Sequence, residues 1–225
     1  MKSKKTLVHW LGLLGIVSFI SYAVAVIFAP LAYPGYDWMS QAVSDLGASS
    51  APSLALWHQL AALYSPAALV CIMMVCVAIR GKLNKTLRLG IYLWAIMAWV
   101  STAGFGWFPL SESGMDGRAF QDTMHLIVTA VVVPLSIASL IAIMIGGYRK
   151  KRFVSLAMCA TIALALVFIG PIGFAVAPPE YFGLFQRFSN LIAANGFTMA
   201  LGIYLFMGKL DNKRIEDYAK SNNSI

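Results

Sequence analysis

Five ionisable side chains are this chain's candidates for proton transfer, metal ligation or ion pairing: Asp45, His58, Asp122, His125 and Arg187. Asp122-x-x-His125 places a carboxylate and an imidazole on one face of a helix, a spacing shared with carboxylate–histidine ligand pairs in metal-binding bundles. Such groups serve as general acid and base or, with further ligands, hold a metal. A metal site needs three or four ligands. The additions on offer are Asp45 and His58, with Asp37 or Asp116 behind them, and no signature spacing links them. The expectation is therefore no cofactor, with a metal on Asp45, His58, Asp122 and His125 as the lesser alternative. Arg187 points the other way, since a guanidinium repels a cation and suits a carboxylate or an anionic ligand. No Gly-x-Ser-x-Gly nucleophile motif accompanies these groups. The plain structural reading gives Asp122 as a helix cap and His125 as an interhelical hydrogen-bonding residue.

Membrane helices carry these residues. Hydrophobic residues make up 60% of the chain, charged residues only 12%, and mean hydropathy is +0.75 over 225 residues, outside the range of soluble globular domains. Intervals free of Lys, Arg, Asp and Glu run over 6–36, 46–79, 89–111, 123–148, 153–179 and 188–208. Each is long enough to cross a hydrocarbon core of about 30 Å, and lipid forces such runs to be helical. The fold expected is an all-α membrane protein, a six-transmembrane-helix bundle with helices near 8–31, 54–79, 89–109, 122–147, 153–176 and 184–208. Residues 1–210 form a single domain and 211–225 a polar, disordered cytoplasmic tail.

Cations set the orientation, because Lys and Arg accumulate on the cytoplasmic side. The N-terminus, the loop from Arg80 to Arg88, the run Arg149 to Arg152 and the tail after Lys209 hold 15 of the 17, leaving Arg118 and Arg187 for the other face. Most acids divide oppositely, with Asp37, Asp45, Glu112, Asp116, Asp122 and Glu180 outside. Both termini are thus expected in the cytoplasm, the chain a multi-pass protein of the cytoplasmic membrane. The formal +8 follows from this topology and from attraction to anionic head groups; membrane lipids are the expected partners and nucleic acid is excluded. A homo-oligomer or a membrane partner protein stays open. The first apolar run passes Ala23-Val24-Ala25 and continues through Ala32, so it reads as an uncleaved helix rather than a signal peptide. Cys71, Cys76 and Cys159 fall inside helices as small apolar packing residues.

Between the first two spans lies a patterned polar segment. Pro34-Gly35 is turn chemistry. Beyond it Trp38, Met39, Ala42, Val43 and Leu46 recur at helical spacing, Gln41, Ser44 and Asp45 oppose them, and Gly47 is a natural stop. This predicts a short amphipathic interfacial helix over 36–47, either a surface anchor with Tyr36 and Trp38 at the head groups or a lid with Ser44 and Asp45 turned inward. His58, His125 and Asn190 each precede a short apolar run, at separations of 67 and 65 residues, an arrangement that would aim all three into one outward-facing pocket. Asn195, deeper and among small residues, reads as an interhelical hydrogen-bonding residue.

Tyr33-Pro34-Gly35-Tyr36, Ser40-Gln41-Ala42-Val43-Ser44-Asp45-Leu46-Gly47, the Asp122/His125 pair, and Gly183 with Arg187 together resemble the domain of unknown function 998 family, six-span membrane proteins of bacteria and archaea. The resemblance implies six helices over nearly the whole chain and implies no activity. On the residues, the preferred function is binding, or transport, of a lipid or amphipathic anionic ligand in an outward-facing polar pocket of Ser44, Asp45, His58, Asp122, His125, Arg187 and Asn190. The alternatives are a metal-dependent or acid–base membrane hydrolase or transferase, and a non-catalytic organiser or accessory subunit.

Overall fold

In a computed structural model, residues 5–112 and 119–210 are described. Asp116, Arg118 and the tail 211–225 lie outside them. Six helices are long and apolar enough to cross a membrane: α1 (Leu7–Ala32), α2 (Leu54–Ile79), α3 (Lys85–Trp107), α4 (Phe120–Tyr148), α5 (Lys151–Gly173) and α6 (Pro179–Phe206). The first five follow the charge-free intervals within several residues, because the same solvent requirement excludes charge from a span and satisfies its backbone internally; α6 begins earlier and takes in Glu180 and Arg187.

Helices adjacent in sequence pack side by side, and α6 closes the ring by packing on both α1 and α2. Small residues let these backbones approach. A Cβ at Gly90 of α3 would stand 2.7 Å from the backbone nitrogen of Ile143 on α4, and the Ser139 hydroxyl donates to the Gly90 carbonyl at 2.7 Å. Asn84 caps α3 by accepting from the Leu87 N–H at 2.9 Å, and its amide donates to Gly146 at the far end of α4. Inside the bundle Trp94 donates to the Thr198 hydroxyl at 3.0 Å and meets Phe197 edge to face, joining α3 to α6.

Two spans are irregular. In α2 the helix breaks over 61–63, just before Pro66, which has no N–H to give. The Tyr64 N–H turns to the Ala61 carbonyl at 2.9 Å. The Leu60 and Tyr64 carbonyls then accept from Ser21 and Ser18 of α1, at 2.6 and 2.8 Å. In α6 the residues Phe188–Asn195 wind as a π-helix, a widened turn that often marks functional sites. Asn195, buried, donates its side-chain amide to the Asn190 carbonyl at 3.1 Å and reaches the Tyr64 hydroxyl of α2, in keeping with an interhelical role.

The segment between α1 and α2 forms a strap rather than one amphipathic helix. Pro34-Gly35 turns, with Gly35 at φ +77, a conformation that suits glycine. Residues 38–41 continue as turns, and only Val43–Gly47 coils, as a 3-10 helix. Its threefold repeat buries Val43 and Leu46 together, and Asp45 is buried too, whereas Trp38 stays half exposed. The period of 3.6 read from the sequence fails because the strap's own backbone bonds mostly close turns of three residues, while its Val43 N–H and Met39 carbonyl bond to α6 and its Ser49 and Ser50 N–H groups to the loop after α3.

Candidate functional site

The strap crosses the end of the bundle and is fastened at two stations. At the first, α6 supplies the partners. Arg187 is 8% exposed, and its Nη1 donates to the carbonyls of Trp38, Gln41 and Gly183 at 2.6, 3.1 and 2.8 Å. Its Nη2 donates to the Tyr36 hydroxyl at 2.7 Å, which in turn donates to the Ala42 carbonyl at 2.8 Å. The guanidinium carbon lies 5.9 Å from the Tyr36 ring centre and 5.7 Å from that of Trp38, within cation–π range. Gln186 accepts the Val43 N–H at 2.7 Å, and the Leu184 N–H donates to the Met39 carbonyl at 3.0 Å. Close approach depends on Gly183, where a Cβ would meet the Gln41 carbonyl oxygen and stand 2.7 Å from that of Trp38.

All four acceptors of Arg187 are uncharged. A guanidinium carries five N–H groups. Among the described residues Nε–H and the second Nη2–H have no acceptor.

The second station is the loop after α3. Ser49 and Ser50 of the strap donate their N–H groups to the Leu110 and Ser111 carbonyls at 2.8 and 3.2 Å. Asp122, at the start of α4, is buried. It accepts the Ser111 N–H at 2.7 Å and the Ser111 hydroxyl at 2.6 Å, so it fastens this loop instead of capping its own helix. One turn on, His125 Nδ1 lies 2.8 Å from the Phe108 carbonyl. A carbonyl can only accept, so Nδ1 carries a proton and Nε2 is the acceptor of the neutral ring. The imidazole also packs on Phe105, with ring centres 4.7 Å apart.

Asp45 lies between the stations. Its Oδ2 accepts the Ala42 N–H at 3.0 Å, and it is within electrostatic reach of both the Tyr36 hydroxyl and the His125 imidazole. Burial pushes the Tyr36 phenol up to about 12, against the opposing pull of Arg187. Asp37, on the exposed side of the strap, accepts from the Ser40 hydroxyl at 2.7 Å and the Met39 N–H at 3.0 Å; these bonds, the hydroxyl's first, hold its carboxyl below the usual range.

The structure thus brings together Asp45, Asp122, His125 and Arg187 beneath or beside one strap, with Ser44 half-buried in its 3-10 turn. His58 is exposed on the first turns of α2, and Asn190 engages Asn195. The three residues that share a depth in the sequence therefore take separate directions. Among the described residues no group of three or more His, Cys, Asp or Glu side chains is placed to hold a metal ion. Sequence reasoning missed Ser111 and Gln186, and it gave Tyr36 a role only in the surface-anchor alternative, at the head groups. A polar pair, Gln186-Arg187, opening a membrane span was the signal available for one of them.

The family model described as "Protein of unknown function (DUF998)" matches residues 16–203. No curated protein and no solved structure matches the chain.

Proposed function

This chain belongs to the DUF998 family of unknown function, and we propose that it binds an anionic amphiphile at the strap end of the bundle, which charge distribution assigns to the outer side of the cytoplasmic membrane. The observation that carries this is Arg187: a buried cation held by three carbonyls and a phenol, with donors to spare. Neutral acceptors orient a guanidinium without cancelling its charge, and a buried charge is costly unless paired. An anionic head group beside it completes the pairing. The strap covers the place and must loosen for a ligand to enter or leave, so transport would proceed through the same fastening. His58 plays no part in this reading.

Native mass spectrometry of the protein released from lipid nanodiscs tests it. An anionic lipid is retained by the wild type and lost in Arg187→Gln. Equal retention of the same lipids by both proteins sinks the reading.

A second reading, acid–base turnover of a bound lipid, is favoured by His125, whose ring is oriented by Phe108 with Nε2 free to accept a proton near Asp45. It predicts cleavage of a fluorogenic phospholipid that His125→Ala abolishes; no turnover by the wild type excludes it.

A further inference from the structure

The outermost turns of α2 belong structurally to the strap. Residues Leu54–Leu60 form a short helix with no buried residue, set off from Tyr64–Ile79 by the turns at 61–63. Backbone bonds run in succession from the strap into this section: Ala48 donates to Asp45, Ala51 to Ala48, Leu54 to Ala51 and Trp57 to Ser53, at 3.3, 2.9, 3.0 and 2.8 Å. Ser53 is wholly buried, and its hydroxyl donates back to the Leu46 carbonyl at 2.8 Å. Gly47 lets Trp57 lie against the strap, since a Cβ there would stand 2.8 Å from the indole nitrogen.

The joint at the inner end of this section is written into the sequence. Pro66 has no N–H to give to the Ala62 carbonyl, so the hydrogen-bond ladder of α2 lacks a rung there. The Tyr64 N–H bonds to Ala61, which takes from the Leu60 carbonyl the donor that a continuous helix would supply four residues on. Ser21 of α1 replaces it, its hydroxyl donating to Leu60 at 2.6 Å. The rings of Tyr22 and Trp57 meet edge to face beside this bond, with centres 5.7 Å apart. Few buried side chains and an interrupted ladder are the marks of a segment with low local stability.

We propose that residues 45–60 are one hinged cover, pivoting at 61–63 and latched to α1 by the Ser21 hydroxyl, which lifts as a unit when the strap's two stations release. The outer turns of α2 then travel with the strap, while Tyr64–Ile79 stays in the bundle. That this movement admits a ligand rests on the reading of Arg187 above; the hinge itself does not.

Hydrogen exchange of the full chain in nanodiscs, followed by mass spectrometry, tests the hinge. Ser21→Ala removes the latch and leaves both stations intact. Exchange should quicken roughly 2- to 10-fold over 45–60 as a block, the scale of one lost hydrogen bond between neutral groups, and stay unchanged over 64–79. Pro66→Ala restores the missing donor and should slow exchange over 54–63. If Ser21→Ala quickens only the amides at 61–64, Ser21 is a local cap and the cover is overturned. Equal quickening through 64–79 overturns it too, because α2 then loosens as a single helix. Replacing phosphatidylcholine by phosphatidic acid in the nanodiscs separates the hinge from the ligand. Slower exchange over 45–60 that Arg187→Gln abolishes supports binding beneath the cover. A Ser21→Ala response without any lipid dependence upholds the hinge and removes the ligand, whereas lipid dependence without that response does the reverse.

Discussion

Arg187 and Tyr36 meet across 151 residues of sequence at 2.7 Å, the guanidinium donating to a phenol whose own O–H donates to the Ala42 carbonyl. This pair converts the first loop from a free connector into a strap anchored on the last helix.

Losing the two partners should have unequal effects. Tyr36→Phe deletes both the bond from Arg187 and the bond to the Ala42 carbonyl and should cost at least about 1.5–3 kcal/mol, the scale of the charged one alone. Arg187→Lys should cost more, because an ammonium cannot serve three carbonyls and a phenol with the geometry of a planar fork. Thermal unfolding of both variants in the same detergent checks the order.

Gly183→Ala should release the strap. The added methyl would collide with backbone oxygen at Gln41 and Trp38, atoms that cannot swing aside as a flexible side chain would. A loss of about 1–3 kcal/mol is expected, the range for overpacking, together with faster hydrogen exchange at the Val43 amide.

Asp122→Asn should weaken the second station. The carboxylate accepts both the N–H and the hydroxyl of Ser111, whereas an amide has one oxygen to offer. The loss should be about 1.5–3 kcal/mol, and Ser111→Ala combined with Asp122→Asn should add little further. A double-mutant cycle reads the coupling.

Stability should fall at alkaline pH in a way that Tyr36 controls. Its phenol is raised from 10.0 to about 12, so the folded state holds the proton more tightly than the unfolded chain does. That contribution is whole below pH 10 and is lost as pH rises through 12. Asp37 acts at the other end. Its carboxyl is lowered from 3.8, so its contribution is present above that value and lost as pH falls through the lower folded value. Unfolding midpoints followed from pH 10 to pH 12 should decline less steeply in Tyr36→Phe than in the wild type.

The six spans, and the end of the bundle at which each charge lies, can be read from the residues alone. Hydrophobicity acts residue by residue, so a charge-free run long enough to cross lipid becomes a helix whatever surrounds it. Alternation of the spans then carries Asp45, Asp122, His125 and Arg187 to one end of the bundle. Partners are a different matter, because they depend on packing between segments far apart in the chain. That Arg187 faces the strap's carbonyls, that Asp122 holds Ser111, and that His58 is exposed at a depth similar to that of His125 all follow from packing. The 36–47 segment marks the boundary between the two most clearly. Its helical period is present in the residues, yet the strap bonds outward to Leu184, Gln186 and Arg187. Local periodicity cannot register hydrogen bonds between Trp38 and Arg187, which stand 149 positions apart.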